Sequence, residues 1–179
     1  ACLAVRTLVE KFEPSASQRR VLRLNNNVIA VEKSAEATSE QYELFSRYQD
    51  SRHTGGDMAT MDFYDYQALV EETPVETMLV EFKNDDGMLV GGCLVDIMAD
   101  GFSAIYSYFD PKYHKNSLGT YMILWLIERA KRLNLPYVYL GYWIGGNQKM
   151  AYKDKFLPLE YFAADGWQEF SKKNPVICR

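Results

Sequence analysis

The stretch TMLVEFKNDDGMLVGGCLVDIMADGFSAIYSYF, residues 77–109, reads as three strands joined by two turns. Residues 77–83 and 88–98 are dense in aliphatic and aromatic side chains, as strands require. Between them Asn84-Asp85-Asp86-Gly87 closes on Asp-Gly, a strong hairpin signal, because glycine enters the left-handed region without a Cβ clash. Ala99-Asp100-Gly101 makes a second turn, and residues 102–109 form the third strand. Strands joined this tightly pair antiparallel, so the middle of the chain is a meander.

After Asp110-Pro111 a loop leads into the longest helix, residues 117–133. Leu118, Met122, Trp125, Leu126 and Ala130 supply its buried side, while Glu128, Arg129, Lys131 and Arg132 face water. Asn134-Leu135-Pro136 stops it, and residues 137–141 read as a buried strand. Upstream, residues 3–9 alternate as a strand. Pro14 and Ser15 then open a short helix carrying Gln18, Arg19, Arg20 and Arg23, which ends at Asn25-Asn26-Asn27. Residues 28–31 are a short strand. Residues 39–53 are helical, with Tyr42, Phe45 and Tyr48 at threefold spacing, and Gly55-Gly56 ends that helix. A second helix is expected over 58–70, and the tail after Asp165 is expected to pack loosely. Meander, helix, strand is the element order of the acetyltransferase-like (GNAT-like) α/β fold, a central, mainly antiparallel sheet flanked by helices. Residues 1–179 are expected to form one domain of this kind.

With 179 residues, 47% hydrophobic and 25% charged, the chain can bury a substantial core. A net charge of -4 and a pI near 5.3 argue against a protein that coats nucleic acid electrostatically, and leave room for a local phosphate contact. Cys2, Cys93 and Cys178 are scattered and odd in number, which suits the reducing cytosol and suggests neither a disulfide framework nor a zinc site. His53 and His114 lack metal-ligand spacing, so no metal and no resident cofactor are expected. No apolar run reaches the about 18 residues that would suggest a membrane span.

Three segments carry chemistry. The loop Asp110-Pro-Lys-Tyr-His-Lys-Asn-Ser-Leu-Gly-Thr120 runs into the long helix, whose first N–H groups and dipole favour an anion, with Lys112 and Lys115 beside it. Ser117 taken alone reads as an N-cap. A coenzyme A site would show Arg/Gln-x-x-Gly-x-Gly/Ala here, and Asn116-Ser-Leu-Gly-Thr-Tyr121 lacks both ends of that pattern. Arg47-Tyr-Gln-Asp-Ser-Arg-His53 is either a solvated face or a carboxylate clamp. In the third segment, Tyr139, Tyr142 and Trp143 precede Lys149 and Lys153. The two lysines share a face if that segment is helical, with Met150 and Phe156 packed inward, and a plain surface turn remains open for Lys153.

These segments, with Gly56-Asp57-Met58, Phe109-Asp110-Pro111, Leu135-Pro-Tyr-Val-Tyr-Leu-Gly-Tyr-Trp-Ile144, Pro158-Leu159-Glu160 and Pro14-Ser-Ala-Ser-Gln-Arg-Arg20, resemble the aminoacyl-tRNA–protein transferases. The likeness is greatest to the bacterial aspartate/glutamate leucyltransferases, relatives of the eukaryotic arginyltransferases. It implies transfer of leucine from leucyl-tRNA, the co-substrate, to proteins beginning with Asp or Glu, which marks them for degradation. It also implies that the chain is the C-terminal major part of a longer protein. Cys2 would then be the last cysteine of an absent cysteine-rich N-terminal segment.

On that resemblance, Arg47, Lys149 and Lys153 are expected to hold the acidic side chain of the acceptor, with Tyr142 or Trp143 against its ammonium. The acceptor end of the tRNA is expected over Ser117, Leu118, Gly119 and Thr120, with Arg19, Arg20 and Lys115 along its backbone. Asp110 is the candidate general base, with Tyr106 or Tyr108 as proton donors. Arginine as the donor, an acyl-coenzyme A N-acetyltransferase of the same fold, and a non-catalytic binder of acidic N-termini are the competing readings.

Overall fold

A computed structural model describes residues 2–52, 57–144, 146–147 and 150–170. These form strands β1 (Leu3–Leu8), β2 (Ile29–Ser34), β3 (Thr77–Lys83), β4 (Leu89–Met98), β5 (Gly101–Phe109), β6 (Tyr137–Trp143), β7 (Leu159–Ala163) and β8 (Gly166–Glu169). The helices are α1 (Ala16–Leu24), α2 (Ser39–Arg52), α3 (Phe63–Glu71) and α4 (Leu118–Arg132). One sheet runs in the order β2-β3-β4-β5-β6-β1-β7-β8. Every neighbouring pair is antiparallel except β5 with β6, which the α4 crossover makes parallel. None of the described helices is long and apolar enough to cross a membrane.

The meander forms as its turns dictate. Gly87 takes φ +75°, and the Asn84 side chain accepts from the backbone N–H groups of Asp86 and Met88, closing the β3–β4 hairpin. The consecutive glycines Gly91 and Gly92 point to opposite faces of β4, and each makes room for a large side chain. A Cβ at Gly91 would sit 2.3 Å from Met122 of α4, and one at Gly92 would sit 2.5 Å from the Tyr108 ring on the α2 face. Helices α4 and α1 thus cover one side of the sheet, and α2 and α3 the other. Leu118, Met122, Leu126 and Ala130 of α4 are fully buried, and Trp125 packs edge-on against Phe82 at 5.8 Å.

Several expectations change. The helix expected over 58–70 is two pieces, a 3-10 turn at Asp57–Thr60 and then α3, because Asp62 and Asp65 form a capping box that starts a new helix. The strand expected over 28–31 extends to Ser34 along β3. The loop after Asp110 is a 3-10 turn, Pro111–Asn116. Strand β6 runs on to Trp143, with Val138 and Leu140 buried, but its alternation then reverses, so that Tyr142 is 61% exposed and Trp143 is buried. The tail after Asp165 is not loose up to Phe170: β8 pairs with β7, and Phe170 packs on Trp143 at 5.2 Å. The glycines expected to end α2 lie outside the described residues.

Candidate functional site

Strands β5 and β6 pair only at Gly101–Tyr137, Phe102–Val138 and Ser103–Tyr139, although both continue well beyond. Each carries an irregularity where they part. Opposite β4, Leu94 pairs with Tyr106 and Val95 with Ala104, so Ile105 is an extra residue on β5. Opposite β1, Val5 pairs with Gly141 and Arg6 with Tyr139, so Leu140 is an extra residue on β6, and Gly141 takes φ +74°. Bulges of this kind re-aim side chains. Beyond them the backbones separate, and side chains from α2, β5 and the segment after β6 meet beside the parting.

Lys153 is the least expected of these. It lies in the 3-10 turn Ala151–Lys155, is only 8% exposed, and its Nζ donates to the Tyr142 carbonyl at 2.5 Å. Burial pulls its pKa below the ordinary lysine value. The surface-turn reading of this residue is therefore set aside. Next to it, Tyr152 has an exposed ring edge but a buried hydroxyl end, which lifts its pKa, with Tyr48 and Cys93 in electrostatic reach. Lys149 and His53 lie outside the described residues.

Tyr106 and Tyr108 of β5 differ. Tyr106 is half-buried, accepts a hydrogen bond from Gln49 of α2, and is pushed up to about 12 by burial and by neighbouring Tyr48. Tyr108 is 2% exposed, and its hydroxyl lies 2.7 Å from that of Tyr66 deep in the α2–α3 packing, which raises it further. Both hydroxyls are protonated at neutral pH, so they can donate but cannot act as bases.

Immediately after β5, Asp110 caps the turn that follows, accepting from the Lys112 N–H at 3.0 Å. Its second oxygen lies 3.8 Å from Arg47 Nη2. Tyr48, Ser51, Arg52, Phe109, Pro111 and His114 line an open cleft of ≈ 250 Å³ alongside. The Arg52 guanidinium lies over the Phe109 ring at 5.3 Å and has no ion pair among the described residues. Of the expected clamp, Arg47 is thus adjacent to the turn that leads into α4.

The α4 tip differs from its sequence reading. Ser117 is left-handed (φ 53°), and its side chain makes no cap hydrogen bond, so the simple N-cap role fails. Leu118 is wholly in the core, and Thr120 is half-buried. A Cβ at Gly119 would meet the Phe109 ring at 3.2 Å, so packing alone favours glycine there. Tyr121, which stands where a coenzyme A site has a small residue, turns away from the tip. It packs edge-on against Phe82, and its hydroxyl donates to the Val28 carbonyl.

Helix α1 links the two halves of the site. Gln18 Nε2 donates to the Lys155 carbonyl at 3.0 Å, and Asn25 Nδ2 donates to the Asn116 carbonyl at 2.8 Å. Arg19 and Arg20 therefore ride on an element running from the Lys153 turn to the start of α4, with Arg19 also held to the Pro14 carbonyl at 2.7 Å. Lys115 is exposed in the turn before α4. Tyr142 is exposed, whereas Trp143 is buried. The sequence does not single out Gln49 or Tyr152, nor does it set Arg52 apart from the rest of residues 47–53. The available signal was Gln41, Phe45 and Gln49 at fourfold spacing, which puts two amides on an apolar face.

The sequence model for the C terminus of arginine-tRNA-protein transferase matches residues 40–163. The chain is 52% identical over 171 residues to an aspartate/glutamate leucyltransferase of Paramagnetospirillum magneticum, covering 96% of this chain and 70% of that one. It is 49% identical to the protein of that name from Gluconacetobacter diazotrophicus (93% and 64% covered) and 48% identical to that from Sinorhizobium medicae (99% and 72%). Among solved structures, L-PGS from Bacillus licheniformis aligns with TM-score 0.62 at 12% identity, covering 98% of this chain and 61% of that one. FemX aligns with TM-score 0.62 at 9% identity (87% and 57%). A tandem GNAT protein from the clavulanic acid biosynthesis pathway aligns at 0.54 and 12% (89% and 49%). At these identities the structural likeness establishes the acetyltransferase-like fold alone.

Proposed function

The chain belongs to the arginine-tRNA-protein transferase family, and on that footing we propose that it moves leucine from leucyl-tRNA to proteins whose first residue is Asp or Glu. Such tagging would commit the acceptor to degradation, in the cytosol that its scattered cysteines suit. The observation that carries this reading is identity of about one half, over nearly all of this chain and 64–72% of theirs, to proteins named aspartate/glutamate leucyltransferase.

In the reaction the acceptor's free N-terminal amine attacks the carbonyl carbon of the aminoacyl ester. A C–N bond forms, the C–O bond to the terminal ribose breaks, and the proton shed by the amine ends on that ribose oxygen. The ester is already activated, so alignment supplies much of the acceleration, on the order of 7 kcal/mol or more. We assign the acceptor's carboxylate to Arg52, which lines the open cleft, and to Arg47, which is held alongside it by Asp110. Asp110 receives the amine and its proton, and the exposed Tyr142 ring offers it a face. Lys153, buried against β6, is better placed to stabilise the oxyanion than to meet an exposed side chain. Tyr106 faces the departing ribose, a role that the buried Tyr108 is poorly placed to share. The start of α4, with Arg19, Arg20 and Lys115, takes the tRNA backbone.

Arginine as the donor is the second reading, favoured by the description of the family itself. An arginine pocket would contain a carboxylate. Tyr48, Gln49, Tyr106, Tyr152 and Lys153, which gather beside the strand parting, include none, and a lysine there would repel arginine. The deciding experiment is transfer of labelled leucine or arginine from each charged tRNA to peptides beginning with Asp, Glu, Lys or Arg. Leucine should be transferred to the Asp and Glu peptides only. Arg52→Ala should raise KM for those peptides about tenfold while leaving KM for leucyl-tRNA unchanged. Transfer of arginine alone, or equal loss for both substrates, would overturn the donor or the clamp respectively.

A further inference from the structure

Two glutamines occupy the buried face of α2, and they are satisfied very differently. Gln41 Oε1 accepts from the Thr38 N–H and the Tyr66 hydroxyl, and its Nε2 donates to Glu81. Gln49 is equally buried, at 1% exposed, yet its Nε2 donates to the Tyr106 hydroxyl while its Oε1 is buried with no hydrogen-bond partner among the described residues. Having accepted that bond, the Tyr106 hydroxyl still has its own proton to give. At least one donor and one acceptor therefore remain open side by side. Reversing the amide changes nothing: Tyr106 would then donate to Oε1, leaving the Nε2 hydrogens and the hydroxyl lone pairs. A buried amide left half-satisfied is unfavourable unless something completes it.

The location fits a ligand. Tyr106 is the first paired residue after the Ile105 bulge, on the part of β5 that no longer pairs with β6. Tyr48, the neighbour of Gln49 on α2, lines the cationic cleft, so the open pair lies within a side chain's reach of it.

We infer that Gln49 and Tyr106 together bind the free hydroxyl of the terminal ribose of the aminoacyl-tRNA, the hydroxyl beside the ester oxygen. This rests on the proposed transfer reaction and names a contact within it. At the reacting end of the donor, the ester carbonyl only accepts and the leucyl ammonium only donates. The ribose hydroxyl does both, and it is small enough to reach a pair this deeply set. Holding it fixes the ester one bond away, which is the alignment the reaction needs.

The test uses leucyl-tRNA ending in 2′-deoxyadenosine, charged on its 3′ oxygen, against the normal substrate. With wild-type protein, loss of the hydroxyl should lower kcat/KM roughly ten- to hundredfold. Gln49→Met and Tyr106→Phe should each lose a similar factor with the normal substrate, and less than about twofold more with the deoxy substrate. Circular dichroism and Tm of both variants check that they fold, and either one alone completes the comparison. If the losses multiply, the pair does not touch the hydroxyl and the inference fails. If the variants are instead insensitive to replacing the terminal adenine by unsubstituted purine, the contact is with the base, and the inference again fails. Absence of leucine transfer by the wild type would overturn the function itself, a result distinct from multiplying losses in an active enzyme.

Discussion

Lys153 places a cation where the fold gains least from one. Its ammonium is buried, its one hydrogen bond among the described residues goes to the Tyr142 carbonyl, and burial depresses its pKa. A lysine whose folded pKa lies below its ordinary value binds its proton less well in the native state, so at neutral pH it lowers stability. That deficit disappears only as the pH rises past 10.5. An apolar side chain of similar length would remove the penalty and leave one carbonyl unpaired, two effects of comparable size. Lys153→Met is therefore expected to leave Tm unchanged or higher while lowering kcat for leucine transfer about a hundredfold, as loss of an oxyanion partner does. Calorimetry beside single-turnover kinetics checks both halves. A large fall in Tm with kcat intact would make Lys153 a structural residue. The lysine itself was visible in the sequence, but its burial was not, because that depends on the left-handed Gly141 and on α1 closing over the turn through Gln18.

At the scale of elements, β1 is held between β6 and β7 by one arginine. The Arg6 guanidinium is stacked between the rings of Tyr137 (3.5 Å) and Trp167 (4.0 Å). Its Nε donates to Glu160 at 2.8 Å, and Nη1 donates to the Tyr139 hydroxyl, which in turn donates to Asp100. Strands β1, β6, β7 and β8 and the β4–β5 turn thus share one planar cation. A lysine has neither the plane nor the fork, so Arg6→Lys should destabilise by about 2 kcal/mol, read as a lower urea midpoint at unchanged m-value. An unchanged midpoint would show that ordinary ladder pairing suffices. This latch also explains what the sequence concealed. The hairpin at Asn84–Gly87, the long α4 and the start of α1 at Ser15 are local signals and were legible. Strands β7 and β8 are short, with five and four residues, and the hairpin they form docks through β7 on β1, about 150 positions away. The site was legible in the same uneven way. Arg47 and the approach to α4 could be placed together from their motifs, whereas Gln49 and Tyr152 gain meaning only once β5 and β6 part, a matter of register between distant strands.

Across the whole molecule, a buried polar line joins the site to the far edge of the sheet. Tyr108 on β5 meets Tyr66 on α3, Tyr66 donates to Gln41 on α2, and Gln41 donates to Glu81 on β3 at 2.8 Å. Lys33 on β2 and Lys83 complete it at 3.0 and 3.4 Å from Glu81. Burial pushes the Glu81 carboxyl up, but the amide bond and the two lysines outweigh it and hold its pKa below the ordinary 4.5. A carboxyl depressed on folding binds fewer protons in the native state than in the unfolded one. Its contribution is complete above pH 4.5 and is lost as the pH falls through the lower folded value. The molecule is therefore expected to lose stability between about pH 5 and pH 3 more steeply than Glu81→Gln does. That variant keeps the amide contact and gives up the charge, so its urea midpoint should vary less with acid. At neutral pH it should also be about 2 kcal/mol less stable, since two lysines lose their partner. Parallel acid profiles for the two proteins would show that the line is held by packing of Tyr66 and Tyr108 rather than by charge.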